Sequence, residues 1–340
     1  MSTQFTMDRR SFMATSAAAG AAMVAAGTAS ADGEGLINRN MRADRMSYRK
    51  LGKTNWNAGR LVFGCGAALA GGKAVRLLEQ AYEQGVNVFD VGFDDYYKGS
   101  EKNMAEFLKK RGQDVFLISK APLRRSVTKG DTYDVQAAKE DAAQWLLELD
   151  RSLSNMQVEK VDAYYLMAVG NPAAVASEEA QNAFAKAKKA GKVDHFGIST
   201  HLQAGKCLEA AIAAGCYSLA MIGITPGGWY DWDTKSLLAG TPNMKALMPL
   251  FDKARAAGIG LVGMKAGRFI APGIALGKGD ETAFDKEYDE KFMKTQLTAF
   301  QRSYAFVLAH GMDVVNADMQ NFKHFEDNLV AARDSHTYFA

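Results

Sequence analysis

Two short apolar segments, each ending in a charged residue, decide the fold of this chain. Residues 87–90 read Asn-Val-Phe-Asp and residues 115–120 read Val-Phe-Leu-Ile-Ser-Lys, so Asp90 and Lys120 stand at the ends of the two segments. Between them, residues 96–101 read Tyr-Tyr-Lys-Gly-Ser-Glu. A parallel barrel places its functional residues at the carboxyl ends of its strands, and this pattern would bring an acid, a phenol and an amine together there.

Similar apolar runs occur on both sides of these two segments. They are short, rich in Val, Ile, Leu, Phe and Tyr, and lack a clean period of two, which is typical of strands buried on both faces. Together the runs lie at residues 61–64, 87–90, 115–119, 161–167, 195–199, 218–224, 259–264 and 313–316. Eight such strands alternating with helices predict a closed (β/α)8 TIM barrel of the α/β class.

The clearest helix lies between the third and fourth runs. Its apolar residues recur at steps of three and four, which predicts one face packed against the barrel. They are Ala138, Ala142, Leu146, Leu149, Leu153 and Met156. The longest connection runs from Gly267 to Asp289 and is rich in Gly and charge. We expect it to form a flap over a ligand.

The first 31 residues have the pattern of an export signal. Residues 8–13 read Asp-Arg-Arg-Ser-Phe-Met, which looks like a twin-arginine signal, and an Ala/Gly-rich stretch then ends in Ala-Ser-Ala. That stretch is too poor in Leu and Ile for a stable membrane anchor. We therefore expect a signal peptide over residues 1–31, a polar tether over residues 32–45 and one barrel domain over residues 46–340. The expected partner in export is the twin-arginine translocase, and the expected location is periplasmic.

The composition is that of a globular protein with a large core. The 340 residues are 48% hydrophobic and 23% charged, with a formal net charge of +3. No dense basic stripe with interleaved aromatic residues occurs in the sequence, so we expect no nucleic-acid partner. Cys65, Cys207 and Cys216 lack a metal-ligand spacing, and we expect no metal.

Several motifs together resemble the aldo/keto reductase family. Residues 48–54 are similar to its opening hairpin, and Phe-Asp at 89–90 followed by Tyr-x-x-Ser-Glu at 97–101 is similar to its signature. Further similar segments follow in order at 149–153, 161–166, 191–201, 258–265 and 327–328. The resemblance implies a barrel with an N-terminal β-hairpin. It also implies NAD(P)-linked interconversion of a carbonyl and an alcohol, with a small-molecule carbonyl or sugar-like substrate.

The resemblance also implies catalytic roles. In this family a tyrosine gives its proton to the carbonyl oxygen while a lysine and an aspartate tune that tyrosine, which implies these roles for Tyr97, Lys120 and Asp90. A lysine ammonium beside a phenol lowers the pKa of the phenol. Asp95 occupies the usual tyrosine position. Tyr97 is favoured because Tyr-x-x-Ser-Glu is intact after it, and Tyr96 is the alternative.

The family's carbonyl-orienting histidine is replaced by Met167 in this chain. A thioether donates no hydrogen bond, so Met167 does not polarise a carbonyl as an imidazole would. His195 and His201 flank the fifth strand. For both we favour a structural, hydrogen-bonded role over a catalytic one.

The resemblance implies that the ends of the later strands bind a nicotinamide nucleotide, NADP or NAD. Ser199 and Thr200 stand where the family holds the nicotinamide amide, and Met264 stands where many relatives stack an aromatic ring on the nicotinamide. Other candidate nucleotide-binding residues by family position are Lys265, His324, Asp327 and Asn328. Asp318 lies where the family grips the adenosine 2′-phosphate, and its negative charge leaves the choice between NADP and NAD open.

Two other functions are compatible with these replacements. Met167 and Asp318 would suit a barrel that has lost catalysis and acts as a binding protein. The group of Asp90, Tyr97 and Lys120 would also suit non-redox acid–base chemistry on a sugar-like substrate, such as elimination or isomerisation. Tight nucleotide binding would separate the oxidoreductase from both alternatives.

Overall fold

The structure is a computed structural model that describes residues 35–272 and 278–339. The export signal predicted over residues 1–31 lies outside the described residues. An antiparallel hairpin precedes the barrel, with strands β1 (Tyr48–Lys50) and β2 (Asn57–Gly59). The turn between these strands places Leu51 and Trp56 in the buried interior of the barrel. The predicted N-terminal hairpin is therefore confirmed.

Eight parallel strands form a closed ring. They are β3 (Leu61–Gly64), β4 (Val88–Asp90), β5 (Phe116–Ala121), β6 (Val161–Leu166), β7 (Val193–Thr200), β8 (Leu219–Thr225), β11 (Gly260–Met264) and β12 (Val314–Asp318). Between β8 and β11, strands β9 (Gly228–Asp231) and β10 (Ser236–Leu237) form an antiparallel hairpin. The ring closes because β7 pairs with β8, β8 with β11, and β12 with β3. Every predicted apolar run is a barrel strand, so the predicted fold is confirmed.

Helices alternate with the barrel strands. They are α1 (Cys65–Leu69), α2 (Leu77–Glu83), α3 (Asp94–Tyr97), α4 (Ala105–Arg111), α5 (Val135–Met156), α6 (Pro172–Val175), α7 (Glu178–Lys189), α8 (Ala204–Ala214), α9 (Met248–Ala256), α10 (Glu290–Met293), α11 (Ala299–Ala309) and α12 (Phe322–Asp334). The apolar stripe predicted on α5 is buried except for Leu146, which is partly buried. Within the described ranges, no helix has the length and apolar character needed to cross a membrane.

Side chains of alternate strand residues fill the barrel, because successive residues of a strand point to opposite faces. Val88, Ile118, Tyr165 and Val314 belong to the interior cluster. Two residues further along each strand, the side chain again points inward, at the end of the barrel where the carboxyl ends of the strands lie. This end is called the mouth. The residues reached in this way are Asp90, Lys120, Met167 and Asn316.

The segment before the hairpin contacts the barrel where it is described. Asn40 Nδ2 donates hydrogen bonds to the carbonyl oxygens of Tyr82 and Val86, at 2.9 and 3.0 Å. Ile37 forms an isolated bridge with Trp56. The tether over residues 32–45 and the domain boundary at residue 46 stay predictions.

The long connection after β11 packs against the β9–β10 hairpin where it is described. Phe269 and Phe284 are buried, with ring centroids 5.5 Å apart, and Tyr230 of β9 lies 6.2 Å from Phe269. Residues 273–277 of this connection lie outside the described residues. The flap predicted from Gly267 to Asp289 therefore stays a prediction, with both described parts anchored in one small apolar cluster.

Candidate active site

A buried acid–amine pair occupies the centre of the mouth. Lys120 Nζ donates to Asp90 Oδ1 at 2.6 Å and to the carbonyl oxygen of Val91 at 2.5 Å. Asn316 Nδ2 donates to the other carboxylate oxygen, Asp90 Oδ2, at 2.6 Å. Burial raises the pKa of Asp90, whereas Lys120 and Asn316 act in the opposite direction by stabilising its charged form. Both oxygens of the carboxylate are therefore held by donors from other barrel strands.

Asn316 is a member of this group that the sequence reasoning missed. It lies two residues after Val314, whose side chain is in the barrel interior. Gly64 leaves room for the amide, since a Cβ at that position would stand 2.4 Å from Asn316 Oδ1. A polar residue at an inward position of the predicted strand 313–316 is the sequence signal that identifies it.

Tyr97 lies at the mouth, whereas Tyr96 does not. Tyr97 is partly buried with its ring against Gly66, where an added Cβ would stand 2.8 Å from a ring carbon. Tyr96 is 60% exposed and meets the Tyr97 ring edge to face at 4.8 Å. Asp95 turns outward and accepts two hydrogen bonds from Arg151, at 2.6 and 2.9 Å. The geometry therefore favours Tyr97 over Tyr96 as the group that faces a ligand.

Hydrogen bonds tie the loop that carries Tyr97 to the barrel. Ser100 Oγ donates to the carbonyl oxygen of Gly92 at 3.1 Å. The buried Glu101 carboxylate accepts a hydrogen bond from Ser119 Oγ of β5 at 2.7 Å. The Ser-Glu pair of the signature is therefore an anchor that positions the tyrosine.

The electrostatic environment of Tyr97 differs from the expectation. Burial raises the pKa of Tyr97, and the nearby Asp90 carboxylate adds to the rise. Lys120 directs its hydrogen bonds to Asp90 and the backbone, and among the described residues none joins Lys120 to Tyr97. The cation that lowers the pKa of Tyr97 is Arg268, in the loop after β11. Tyr97 is therefore protonated at neutral pH, which is the state that a proton donor requires.

Gly66→Ala is expected to lower kcat about tenfold or more without removing a catalytic group. The new methyl group would meet ring carbons of Tyr97 at 2.8–3.0 Å and displace the phenol, and small misplacements of reacting groups are costly. Steady-state kinetics of the two proteins measure the effect. Gly112→Ala is the matched control, because the nearest atom there is 3.9 Å away. An unchanged kcat in folded Gly66→Ala would show that the position of the ring does not limit the reaction.

Three thioethers lie at inward positions near the acid–amine pair. Met167 is 8% exposed and lies two residues beyond the inward-facing Tyr165. Met221 and Met264 belong to the interior cluster as well. A thioether is a weak hydrogen-bond acceptor and no donor, so this wall of the mouth is apolar and polarisable.

The two histidines near β7 lie in different environments. The His195 ring is 6.0 Å from that of Phe116, and its Nδ1 lies 3.3 Å from Ser218 Oγ. Burial lowers the pKa of His195 to about 4. His201 stacks on Trp232 at 4.7 Å just beyond the end of β7, and its Nδ1 is buried without a partner among the described residues. The geometry therefore favours a structural role for His195, whereas His201 stands at the mouth.

The residues predicted to bind the nicotinamide diverge in orientation. Ser199 lies two residues after Gly197, whose position faces the Tyr165 ring, so strand parity aims Ser199 into the mouth. Met264 also faces inward. Thr200 is fully buried and donates from Oγ1 to the carbonyl oxygen of Leu202 at 2.9 Å. Ser199 and Met264 therefore fit a nicotinamide at the mouth, whereas the Thr200 hydroxyl is already engaged within the protein.

The residues predicted to bind the adenosine side lie on α12. Asn321 caps this helix by accepting a hydrogen bond from the backbone N–H of His324 at 2.9 Å. Asp327 accepts from Lys323 at 2.8 Å, and Asn328 is buried. The structure places this group on the helix that follows the last barrel strand, apart from the acid–amine pair. Their role in nucleotide binding stays a prediction.

Lys265 adds positive charge just after β11. Burial and the neighbouring Arg268 lower the pKa of Lys265 to about 7. Lys265 Nζ lies 4.9 Å from the ring centroid of Trp232. The Asp318 carboxylate at the end of β12 acts on both cations through its charge. The mouth thus combines an apolar wall, a protonated phenol and two cations near a carboxylate.

Comparison with known proteins agrees with this geometry. Residues 60–219 match the sequence profile of the Aldo/keto reductase family. Over these residues the chain is similar to the aldo/keto reductase family. No curated protein sequence matches the chain.

Solved aldo-keto reductases share the barrel. The holo form of AKR11C1 from Bacillus halodurans is 20% identical, covers 84% of this chain and 90% of its own, and superposes with a TM-score of 0.62. The thermostable aldo-keto reductase Tm1743, solved with the inhibitor epalrestat, is 19% identical, with coverages of 84% and 94% and a TM-score of 0.57. At these identities the likeness shows the fold alone, and the similarity to the family rests on the sequence profile.

Similarity to the aldo/keto reductase family points to NAD(P)-dependent oxidoreduction between a carbonyl and an alcohol. In this chain the acid, the phenol and the amine converge at the mouth, as the motif order suggested. Met167 stands where the resemblance places a histidine, and the chain supplies the additional donor Asn316 to the aspartate. The site therefore holds a protonated phenol, and a thioether stands at the Met167 position.

Proposed function

We propose that this protein interconverts a carbonyl and an alcohol on a small, sugar-like substrate with NADP or NAD, and that Tyr97 is the proton donor. The observation that carries the proposal is the protonated Tyr97 phenol beside the buried pair of Asp90 and Lys120. The nucleotide, when bound, supplies or accepts the hydride. Side chains of the mouth donate the proton, orient the substrate and exclude water.

The proton is held on Tyr97 and delivered to the substrate oxygen. Asp90, fixed by Lys120 and Asn316, keeps negative charge next to the phenol and so favours its protonated form. Met167 contributes an apolar surface that excludes water near the reacting carbon. The hydroxyl of Ser199 and the thioether of Met264 support the proposal, because both would face a nicotinamide placed across the strand ends.

The proposal includes export. The twin-arginine pattern at residues 8–13 favours passage of a folded protein through the translocase into the periplasm. A folded barrel would take up its nucleotide before export. Outside the cytoplasm little free nucleotide is available for exchange, so we propose that the nucleotide stays bound through successive turnovers.

Nucleotide retention tests the proposal. Mature protein recovered from the periplasm and denatured is expected to release about one nucleotide per chain, because slow dissociation keeps a tightly bound nucleotide in the site after export. Quantification by absorbance and mass spectrometry gives the stoichiometry. Leaderless protein purified from the cytoplasm is the control. An empty periplasmic protein that also binds neither NADH nor NADPH at millimolar concentration would reject the oxidoreductase.

Met167→His is expected to raise the reduction of simple aldehydes on the order of a hundredfold, because an imidazole would add a preorganised donor beside the carbonyl oxygen. The measurement is kcat/KM for one aldehyde in both proteins with nucleotide bound. Met248→His, on the outer helix α9, is the control for a histidine introduced outside the mouth. No gain in a folded, nucleotide-loaded Met167→His protein would indicate a pocket shaped for another reaction.

Non-redox acid–base chemistry on a sugar-like substrate is the second candidate. Met167 favours it, since a site without the imidazole lacks a donor that helps a hydride acceptor. Asp90, Tyr97 and Lys120 would then move protons without a nucleotide. The third alternative is a barrel that has lost catalysis and serves as a binding protein. For such a protein we expect neither turnover of a substrate nor a bound nucleotide. The retention experiment separates the oxidoreductase from both.

A further inference from the structure

His201 follows directly after β7 and is held in place by the β9–β10 hairpin. The backbone N–H of Trp232 donates to the carbonyl oxygen of His201 at 3.1 Å, and the two rings stack with their centroids 4.7 Å apart. Lys235 Nζ lies 3.3 Å from the ring centroid of the same tryptophan. The imidazole is therefore fixed by a backbone hydrogen bond and by an aromatic neighbour that is itself packed.

Contacts between strands place His201 one layer beyond the acid–amine pair. Asn316 Nδ2 lies 2.6 Å from Asp90 Oδ2 and 3.6 Å from Met221 Sδ of β8, so these three side chains share a layer of the barrel. A Cβ at Gly223, two residues beyond Met221, would stand 2.9 Å from Cβ of His201. Successive inward positions of a strand are two residues apart. His201 therefore lies in the next layer, over an inward position that carries no side chain.

Tyr97 reaches the same layer from the opposite wall. Gly64 of β3 belongs to the layer of Asn316, since a Cβ there would clash with Asn316 Oδ1. Tyr97 packs on Gly66, two residues beyond Gly64. Three strands separate β3 from β7 in either direction around the ring. The interior of an eight-stranded barrel is just wide enough for side chains or for one small ligand, so a small molecule in the mouth would contact both Tyr97 and His201.

The imidazole of His201 keeps hydrogen-bonding capacity for a ligand. Its Nδ1 is buried without a partner among the described residues. Burial lowers the pKa of His201 to about 3, and the charges of Lys265 and Lys235 act in the same direction, so the ring is neutral. A neutral imidazole offers one donor and one acceptor. This combination matches a hydroxyl group, which also donates and accepts.

We propose that His201 is a substrate-binding residue that hydrogen-bonds a hydroxyl group of a polyhydroxy carbonyl substrate, across the mouth from the oxygen that Tyr97 protonates. The inference rests on the proposed function and specifies which substrates the mouth selects. Met167 on the neighbouring wall offers no donor, and the imidazole after β7 supplies this contact. Trp232 positions the ring.

A sugar and a plain aldehyde of equal length test this residue. D-xylose and pentanal both have five carbons, and only the sugar carries further hydroxyl groups. In NADH-loaded His201→Leu protein we expect kcat/KM for D-xylose to fall at least about tenfold, because a hydrogen bond in a buried site is lost. The kcat/KM for pentanal should stay within about twofold. His336→Leu, which removes an exposed imidazole near the C-terminus, is the control.

Nuclear magnetic resonance provides a second readout that requires no turnover. The ring nitrogen resonances of His201 are identified by their absence from His201→Leu. We expect them to shift when D-xylose is added to nucleotide-free or NAD-loaded protein, and to stay in place when 1-pentanol is added. Thermal melting of each variant confirms that it is folded.

Two outcomes would overturn the proposal. Equal losses of kcat/KM for D-xylose and pentanal in His201→Leu would assign His201 a structural role. Ring resonances that shift with NADH but not with D-xylose would assign the imidazole to the nucleotide. A protein that reduces neither aldehyde would reject the oxidoreductase, and a D-xylose shift would then still support hydroxyl recognition by His201. The absence of both turnover and that shift would reject both proposals.

Discussion

Tyr97→Phe is expected to lower kcat by about 10²–10⁴-fold, the range for loss of a positioned acid or base, while the Kd of the nucleotide stays unchanged. Phenylalanine keeps the ring that packs on Gly66, so the shape of the mouth is retained and only the proton source is lost. Initial rates with a carbonyl substrate and a fluorescence titration with NADH or NADPH measure the two quantities separately.

The pH dependence provides a second readout of the same group. Burial and Asp90 raise the pKa of Tyr97 above its ordinary value, so the protonated phenol persists as the pH rises. Reduction by the unmodified enzyme should therefore decline only above about pH 10, the ordinary pKa of tyrosine. The residual activity of Tyr97→Phe should lack that decline.

Tyr96→Phe is the matched control for the assignment. Tyr96 is 60% exposed, so loss of its hydroxyl is expected to leave kcat within about twofold of the original, as for a residue that does not enter the chemistry. Activity lost in Tyr96→Phe but kept in Tyr97→Phe would move the role by one residue. Activity surviving both changes would exclude a tyrosine of this loop as the proton donor.

Lys120→Met is expected to lower the free energy of unfolding by about 3–5 kcal/mol, the cost of breaking a buried ion pair. Asp90 and Lys120 are each 4% exposed, and removal of the ammonium leaves the carboxylate buried with Asn316 as its side-chain donor. Urea unfolding followed by circular dichroism measures the change. A loss below about 1 kcal/mol would show that water reaches the carboxylate and replaces the amine.

Two further variants control this prediction. Lys160→Met breaks an ion pair of similar length, 2.7 Å to Asp194, but both side chains are roughly half exposed, so the expected loss is at most about 1 kcal/mol. The double variant Asp90→Asn, Lys120→Met removes both charges from the mouth. It should recover much of the stability that Lys120→Met loses, because no unpaired charge stays buried.

The pattern of apolar runs predicted the barrel because burial on both faces leaves a local signature. Each barrel strand coincides with a predicted run to within a few residues, and the stripe on α5 packs as its spacing indicated. The ends of those runs also predicted that Asp90 and Lys120 meet, since parallel strands bring their carboxyl ends to one side. Their ion pair has an N–O distance of 2.6 Å.

Other features of the site could not be read from local patterns. Tyr96 and Tyr97 are neighbours in one short helix, and their burial depends on which side chain meets Gly66. Thr200 matches a motif position, yet its hydroxyl turns to the backbone of Leu202. Lys120 was expected to lower the pKa of Tyr97, but its hydrogen bonds go to Asp90 and a backbone carbonyl. In each case, the packing around the residue decides the outcome.

The sequence by itself determined the barrel, the family resemblance and the acid–amine pair, because period, run length and motif order act over a few neighbouring residues. Only the tertiary structure decided which groups surround that pair. Asn316 reaches Asp90 across 226 positions of the chain, and the β9–β10 hairpin brings Lys235 beside Lys265. Such contacts depend on closure of the ring and on the path of its connections. Closure of the barrel therefore brings together residues that lie far apart in the sequence, and no local sequence pattern predicts their contact.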